Sequence, residues 1–112
     1  MDTYCKIFMD CDAEYDEIFG LISNYLAGTP KGVSTIITSW CSISLKRNSY
    51  YNKNLYLNNS DDFVYWKYYL DMECLEGVSF DEYIKNISRM MSFLRTFCLS
   101  IVPSCDFEDM LT

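Results

Sequence analysis

The chain has 112 residues, half of them apolar and 17% aromatic, which suits one packed domain and argues against disorder. Its formal net charge is −7 and it contains no histidine. The acidity disfavours nucleic acid and favours a basic protein surface, and the missing imidazole removes the usual catalytic base and zinc ligand.

Residues 3–10 alternate, with Cys5, Ile7 and Met9 on one side and Tyr4, Lys6, Phe8 and Asp10 on the other, which is the period of a strand. Over 13–27 the period becomes helical, with Tyr15, Ile18, Phe19, Ile22, Tyr25 and Leu26 forming one stripe. Asp12 is the expected N-cap, and Glu14, Asp16 and Glu17 sit near the positive end of the helix dipole. Gly28 stands where a left-handed C-terminal residue is wanted, and Pro30 prevents resumption.

Residues 33–47 are rich in Val, Ile, Thr, Ser and Trp. They predict one long strand, or two short pieces of one, with a bulge at Ile36-Ile37. Residues 48–62 are rich in Asn, Ser and Tyr and predict a long loop of the kind that often carries function. Residues 63–74 give the strongest strand pattern. Val64, Trp66, Tyr68, Leu70, Met72 and Cys74 alternate with Phe63, Tyr65, Lys67, Tyr69, Asp71 and Glu73.

Residues 79–96 predict the second helix. Ser79 and Glu82 form a capping box, Val78 and Tyr83 a hydrophobic staple, and Ile84, Ile87, Met91 and Leu94 a stripe. Residues 98–103 read as a last strand closed by Pro103, which cannot donate to a ladder. The tail, Cys105-Asp106-Phe107-Glu108-Asp109-Met110-Leu111, alternates acids with apolar residues.

The order β-α-β-β-α-β predicts an α+β protein over residues 1–112, a single ferredoxin-like domain. In it a four-stranded antiparallel sheet carries two helices on one face. The other face is then open and exposes Tyr4, Lys6, Phe8, Tyr65, Lys67, Tyr69, Asp71 and Glu73, an aromatic set mixed with charge that fits a partner surface. The tail acids Asp106, Glu108 and Asp109 are added as partner contacts; they are also placed to meet Arg47. No catalytic residue, metal site or cofactor is assigned.

Six cysteines are present, with no C-x-x-C pair. The opening Met1-Asp2-Thr3-Tyr4 lacks the basic start and apolar run of a signal peptide, and no run approaches the roughly 20 apolar residues of a membrane span. The expectation is a cytoplasmic protein with reduced thiols buried as small apolar groups. Whether any thiols pair depends on Cα atoms coming within about 7 Å, which spacing does not reveal.

The segment Leu45-Lys46-Arg47-Asn48, the run 62–73, the helix start Ser79-Phe80-Asp81-Glu82-Tyr83-Ile84 and the tail together resemble a family of small bacterial immunity proteins of polymorphic toxin systems, whose members close on C-D-F/Y-E-D-E-L. Met110 stands where that family has an acid, and the first 44 residues match only in the order of elements. The resemblance implies a binding protein, not an enzyme, that neutralises a cognate and basic bacterial toxin by occlusion. Two other readings stay open. Asp71 and Glu73 are paired carboxylates of the type that hydrolyse glycosides when about 5 to 9 Å apart, although their ordinary role is solvated charge on a sheet face. The open face also suits a homodimeric structural module. Base stacking on Tyr65 and Tyr69 lacks the basic surroundings that RNA-binding sheets present.

Overall fold

Alternation in the first strand controls the layering of the molecule. The computed structural model describes residues 2–58 and 62–112. Strand β1, Cys5–Asp10, buries Cys5, Ile7 and Met9 completely and leaves Lys6, Phe8 and Asp10 half-buried. Its neighbour β5, Tyr68–Cys74, does the same with Tyr68, Leu70 and Met72. Helix α1, Tyr15–Leu26, turns Ile18 and Ile22 onto that apolar face. The later helix α3, Phe80–Leu94, adds Tyr83, Ile87, Met90, Met91 and Leu94 to the same cluster.

Buried phenols tie the layers together. The Tyr68 hydroxyl donates to the Ala13 carbonyl at 3.1 Å, and the Tyr83 hydroxyl donates to the Thr3 carbonyl at 2.8 Å. Each satisfies a polar group that is costly to bury alone. Ser79 caps α3, its hydroxyl accepting from the Glu82 amide at 3.1 Å, as the capping box predicts. The expected Asp12 cap on α1 is not used: Glu14 holds the N-cap position without a side-chain bond.

The protein is α+β, and its described residues form three helices and a six-stranded antiparallel sheet in the order β2-β3-β4-β5-β1-β6. The expected four strands are therefore too few. Here β2 is Thr29–Lys31, β3 Thr35–Ile37, β4 Cys41–Arg47 and β6 Ser100–Ser104. The region 33–47 is not one strand with a bulge but a hairpin, because β3 and β4 pair antiparallel, Ile36 opposite Ile43. Thr38 makes the turn: its hydroxyl accepts from the amides of Trp40 at 3.1 Å and Cys41 at 2.9 Å, a side-chain mimic of a backbone turn.

Pro30 follows the end of α1, where it was expected to prevent the helix resuming, and it sits in β2, the edge strand of the sheet, where proline is tolerated. The left-handed residue after α1 is Ala27, with φ 50°, not Gly28. Gly28 is needed for another reason: a Cβ there would collide with Ile36 as the chain passes close to β3.

The third helix, α2, Lys53–Asn58, lies in the segment expected to be loop; residues 59–61 of that segment lie outside the described residues. The strand predicted over 63–74 begins only at Tyr68. Phe63–Tyr65 is a single 3-10 turn, capped by the Asp62 carboxylate accepting from the Val64 amide at 3.3 Å.

Candidate partner-binding site

The far face of the sheet, opposite the helices α1 and α3, is only partly open. Residues 48–58 and 62–66 fold back over it as a strap. Phe63 packs on Phe8 with ring centroids 5.0 Å apart, and Trp66 is buried beside Phe63. Tyr56 in α2 donates its hydroxyl to the Asp10 carboxylate of β1 at 3.0 Å. Burial raises the Asp10 carboxyl above its usual range, and the Tyr56 bond opposes that rise.

Asn48 holds the strap closed. It is 6% exposed and is the one buried polar residue among those described. Its amide group donates to the Val64 carbonyl at 2.9 Å and to the Trp66 carbonyl at 2.7 Å. Its own carbonyl accepts from the Tyr50 amide at 3.1 Å, while its backbone amide donates to the Lys67 carbonyl at 2.8 Å. One side chain thus joins the outgoing and returning ends of the strap. An asparagine just past a strand is an ordinary turn signal, and nothing in its spacing reveals that its partners lie sixteen and eighteen residues ahead.

Between strap and sheet lies a cavity of about 350 Å³. Lys6, Phe8 and Tyr69 form its floor, and Asn48, Ser49, Tyr50, Val64 and Tyr65 its walls. The Lys6 ammonium stands 4.5 Å from the Tyr69 ring centroid and 5.8 Å from that of Phe8, a cation–π arrangement. The strap also exposes apolar surface: Tyr50, which lines the cavity, is 75% and Leu57 64% exposed, and Tyr51, Leu55 and Val64 are exposed as well. Lys6 belongs to the face expected to be open, and Asn48 and Tyr50 to the 48–62 loop expected to carry function.

The ten expected contact residues do not form one surface. Phe8, Tyr65 and Tyr69 meet at this cavity, but Tyr65 reaches it from the strap, not from the sheet as the alternation over 63–74 predicts. Tyr4, Asp71 and Glu73 lie further along the same face, in a polar hollow of about 270 Å³ shared with Ser42, Ser44 and Lys46. There the Tyr4 hydroxyl donates to the Asp71 carboxylate. Burial and that carboxylate together hold the Tyr4 phenol well above its usual range. Lys67 lines a separate cleft with Glu14, Tyr15, Arg47 and Tyr68, its ammonium 5.5 Å from the Tyr68 ring.

The tail acids are on the helical side. Phe107 between them is buried against Phe80 and Tyr83 of α3, at 5.4 and 5.9 Å between centroids. Beyond them the Thr112 amide donates to the Ser88 hydroxyl at 3.4 Å, and Arg95 donates to the Thr112 carbonyl at 3.1 Å. Asp106, Glu108 and Asp109 are exposed there, away from the cavity. Arg47, expected near them, stacks instead on the Tyr15 ring with its guanidinium carbon 4.1 Å from the centroid.

Among the described residues no cluster of three or more Cys, Asp or Glu side chains is placed to hold a metal ion, and no helix is long and apolar enough to cross a membrane. Comparison with protein-family models, curated proteins and solved structures finds no match for this chain.

Proposed function

We propose that this domain is a binding protein that occludes a basic partner protein through the strap-covered face of its sheet, in the manner of an immunity protein neutralising a cognate bacterial toxin. One observation carries the reading: the exposed Tyr50 and Val64, with Tyr65, line a cavity floored by Phe8 and Tyr69, and the same segment also exposes Tyr51, Leu55 and Leu57. Aromatic anchors beside a pocket are the residues that dominate protein–protein affinity. The net charge of −7 suits a basic partner and would mainly speed its encounter. The likeness of the second half to immunity proteins supplies the toxin as that partner.

We further read the strands β4-β5-β1-β6, with α1 and α3 on one face, as a ferredoxin-like βαββαβ core to which the β2–β3 hairpin is added at the β4 edge. The order of those four strands supports this reading.

Co-expression with the product of each neighbouring gene tests the proposal. A complex should co-purify, and Tyr65→Ala and Tyr50→Ala should weaken it at least about tenfold each if they are anchors. Full affinity in both variants would remove the strap from the interface. Absence of any complex with a neighbouring product would remove the toxin reading.

A further inference from the structure

Six cysteines that share no sequence motif end up as three neighbouring pairs. Cys5 opens β1 and Cys105 follows β6. They are 100 residues apart in the chain, and their sulfurs lie 3.1 Å apart. The β1–β6 register, with Lys6 opposite Ser104, runs on to set them face to face. At the other end of the same two strands, the Leu99 amide donates to the Asp10 carbonyl at 2.8 Å and the Cys11 thiol to the Phe97 carbonyl at 3.9 Å, which brings Cys98 beside Cys11, and the Cys11 thiol adds to the rise in its neighbour's pKa. Cys41 and Cys74 stand directly opposite as the last pair of the β4–β5 ladder. Directly opposed antiparallel residues hold their Cα atoms about 4.5 to 5.5 Å apart, inside the window of about 4.4 to 6.8 Å that a disulfide needs. No cysteine is left over, and all six are free thiols here.

We propose that these are three disulfide sites, in which Cys5–Cys105 and Cys11–Cys98 fasten β6 to β1 at both ends and Cys41–Cys74 fastens β4 to β5. Cysteines serving only as small apolar filler have no reason to meet in pairs, still less to do so without remainder. The oxidant is a low-molecular-weight disulfide. One protein thiolate attacks it, forming a mixed disulfide and releasing one thiol. The paired cysteine then expels the second thiol, so that one S–S bond breaks, one forms, and the two protons pass to the released thiols.

Closure belongs to folding rather than to the finished fold. Burial holds the Cys5 and Cys98 thiols well above their usual range and pushes Cys41 up to about 11, which suppresses the reactive thiolate once the core has formed. A reducing cytosol therefore leaves the pairs as thiols, and an oxidising compartment closes them. This inference does not depend on the binding proposal.

The test is to refold the reduced full-length chain in a buffer of reduced and oxidised glutathione, quench with acid, and map peptides by mass spectrometry without reduction. A parallel sample is oxidised in denaturant. The native sample should lose two hydrogens per bridge and give the three named cross-links, whereas the denatured sample gives a mixture. Its melting temperature should exceed that of the reduced protein by ~10 °C or more. Cys105→Ser should lose the first bridge alone and keep the other two. Six alkylatable thiols after refolding, cross-links between other partners, a native mixture equal to the denatured one, or a bridged protein that melts no higher than the reduced form would each overturn the proposal.

Discussion

The two faces of the sheet are covered by different means. On one face α1 and α3 bury Ile18, Ile22, Tyr83, Ile87, Met90, Met91 and Leu94 against fully buried strand residues. On the other, a strap whose helix α2 has no buried residue is held by Asn48, Phe63 and Tyr56. The first face is held by apolar area, which is cooperative and hard to open. The second is held by a few directional contacts and leaves its aromatics at the surface. A face that must meet another molecule cannot also bury its anchors, so the weaker cover is the one suited to binding.

The sharpest way to separate the faces is to cut into the first. Tyr83→Ala removes a fully buried ring that touches Trp40 and Phe107 and deletes the bond to Thr3. It should cost about 3–5 kcal/mol, measured by urea denaturation. The phenols of both faces should make the protein sensitive to alkali. Burial raises those of Tyr83 and Tyr4 far above their ordinary value, with the Asp71 carboxylate adding to the rise at Tyr4. The folded state then keeps its protons longer than the unfolded chain. The resulting stability is complete below about pH 10 and is lost as the pH climbs towards the folded values. Denaturation midpoints between pH 8 and pH 11 should fall accordingly, and phenolate absorbance should rise together with unfolding.

Asn48→Ala probes the second face. It leaves the carbonyls of Val64 and Trp66 without their donor, and should cost about 1–3 kcal/mol. Hydrogen exchange should show the loss concentrated in residues 48–58 and 62–67, with the amides of β1 and β5 still protected. Equal loosening of β1 and β5 would mean that the two covers are one cooperative unit.

Tyr56→Phe is gentler, at about 1 kcal/mol, because Asp10 is only partly buried. Without its donor the Asp10 carboxyl should titrate higher than in the parent protein. Burial penalises the charged form in the fold, so the deficit of the variant should shrink as the pH falls through that range. Carboxyl titration by NMR checks the direction. Smallest of all, Tyr65→Ala should change stability by less than about 0.5 kcal/mol while reducing partner affinity; a large loss of stability would make Tyr65 a packing residue.

Strong periodicity made much of the covered face legible. The alternation of Cys5, Ile7 and Met9, the stripe on α3 and the Ser79–Glu82 cap all match the structure, because each rests on contacts within one element or on one period. The alternation over 63–74 misled at its start. Its first residues satisfy a strand period, yet the Asp62 cap and the bonds from Asn48 draw them into a turn and a strap. The hairpin at 35–47 was hidden for the same kind of reason: the hydroxyl of Thr38, not a glycine pair, makes the reversal.

Local pattern, by itself, determined which residues of β1, β5 and α3 face inward, since side-chain direction follows from backbone geometry alone. Only the tertiary structure decided that residues 48–58 and 62–66 cover the far face, that Asn48 bridges the ends of that cover, and that six scattered cysteines become three pairs. Those are meetings between residues distant in the chain, and a sequence carries no local signal of its own for them, because strand order and register bring them about.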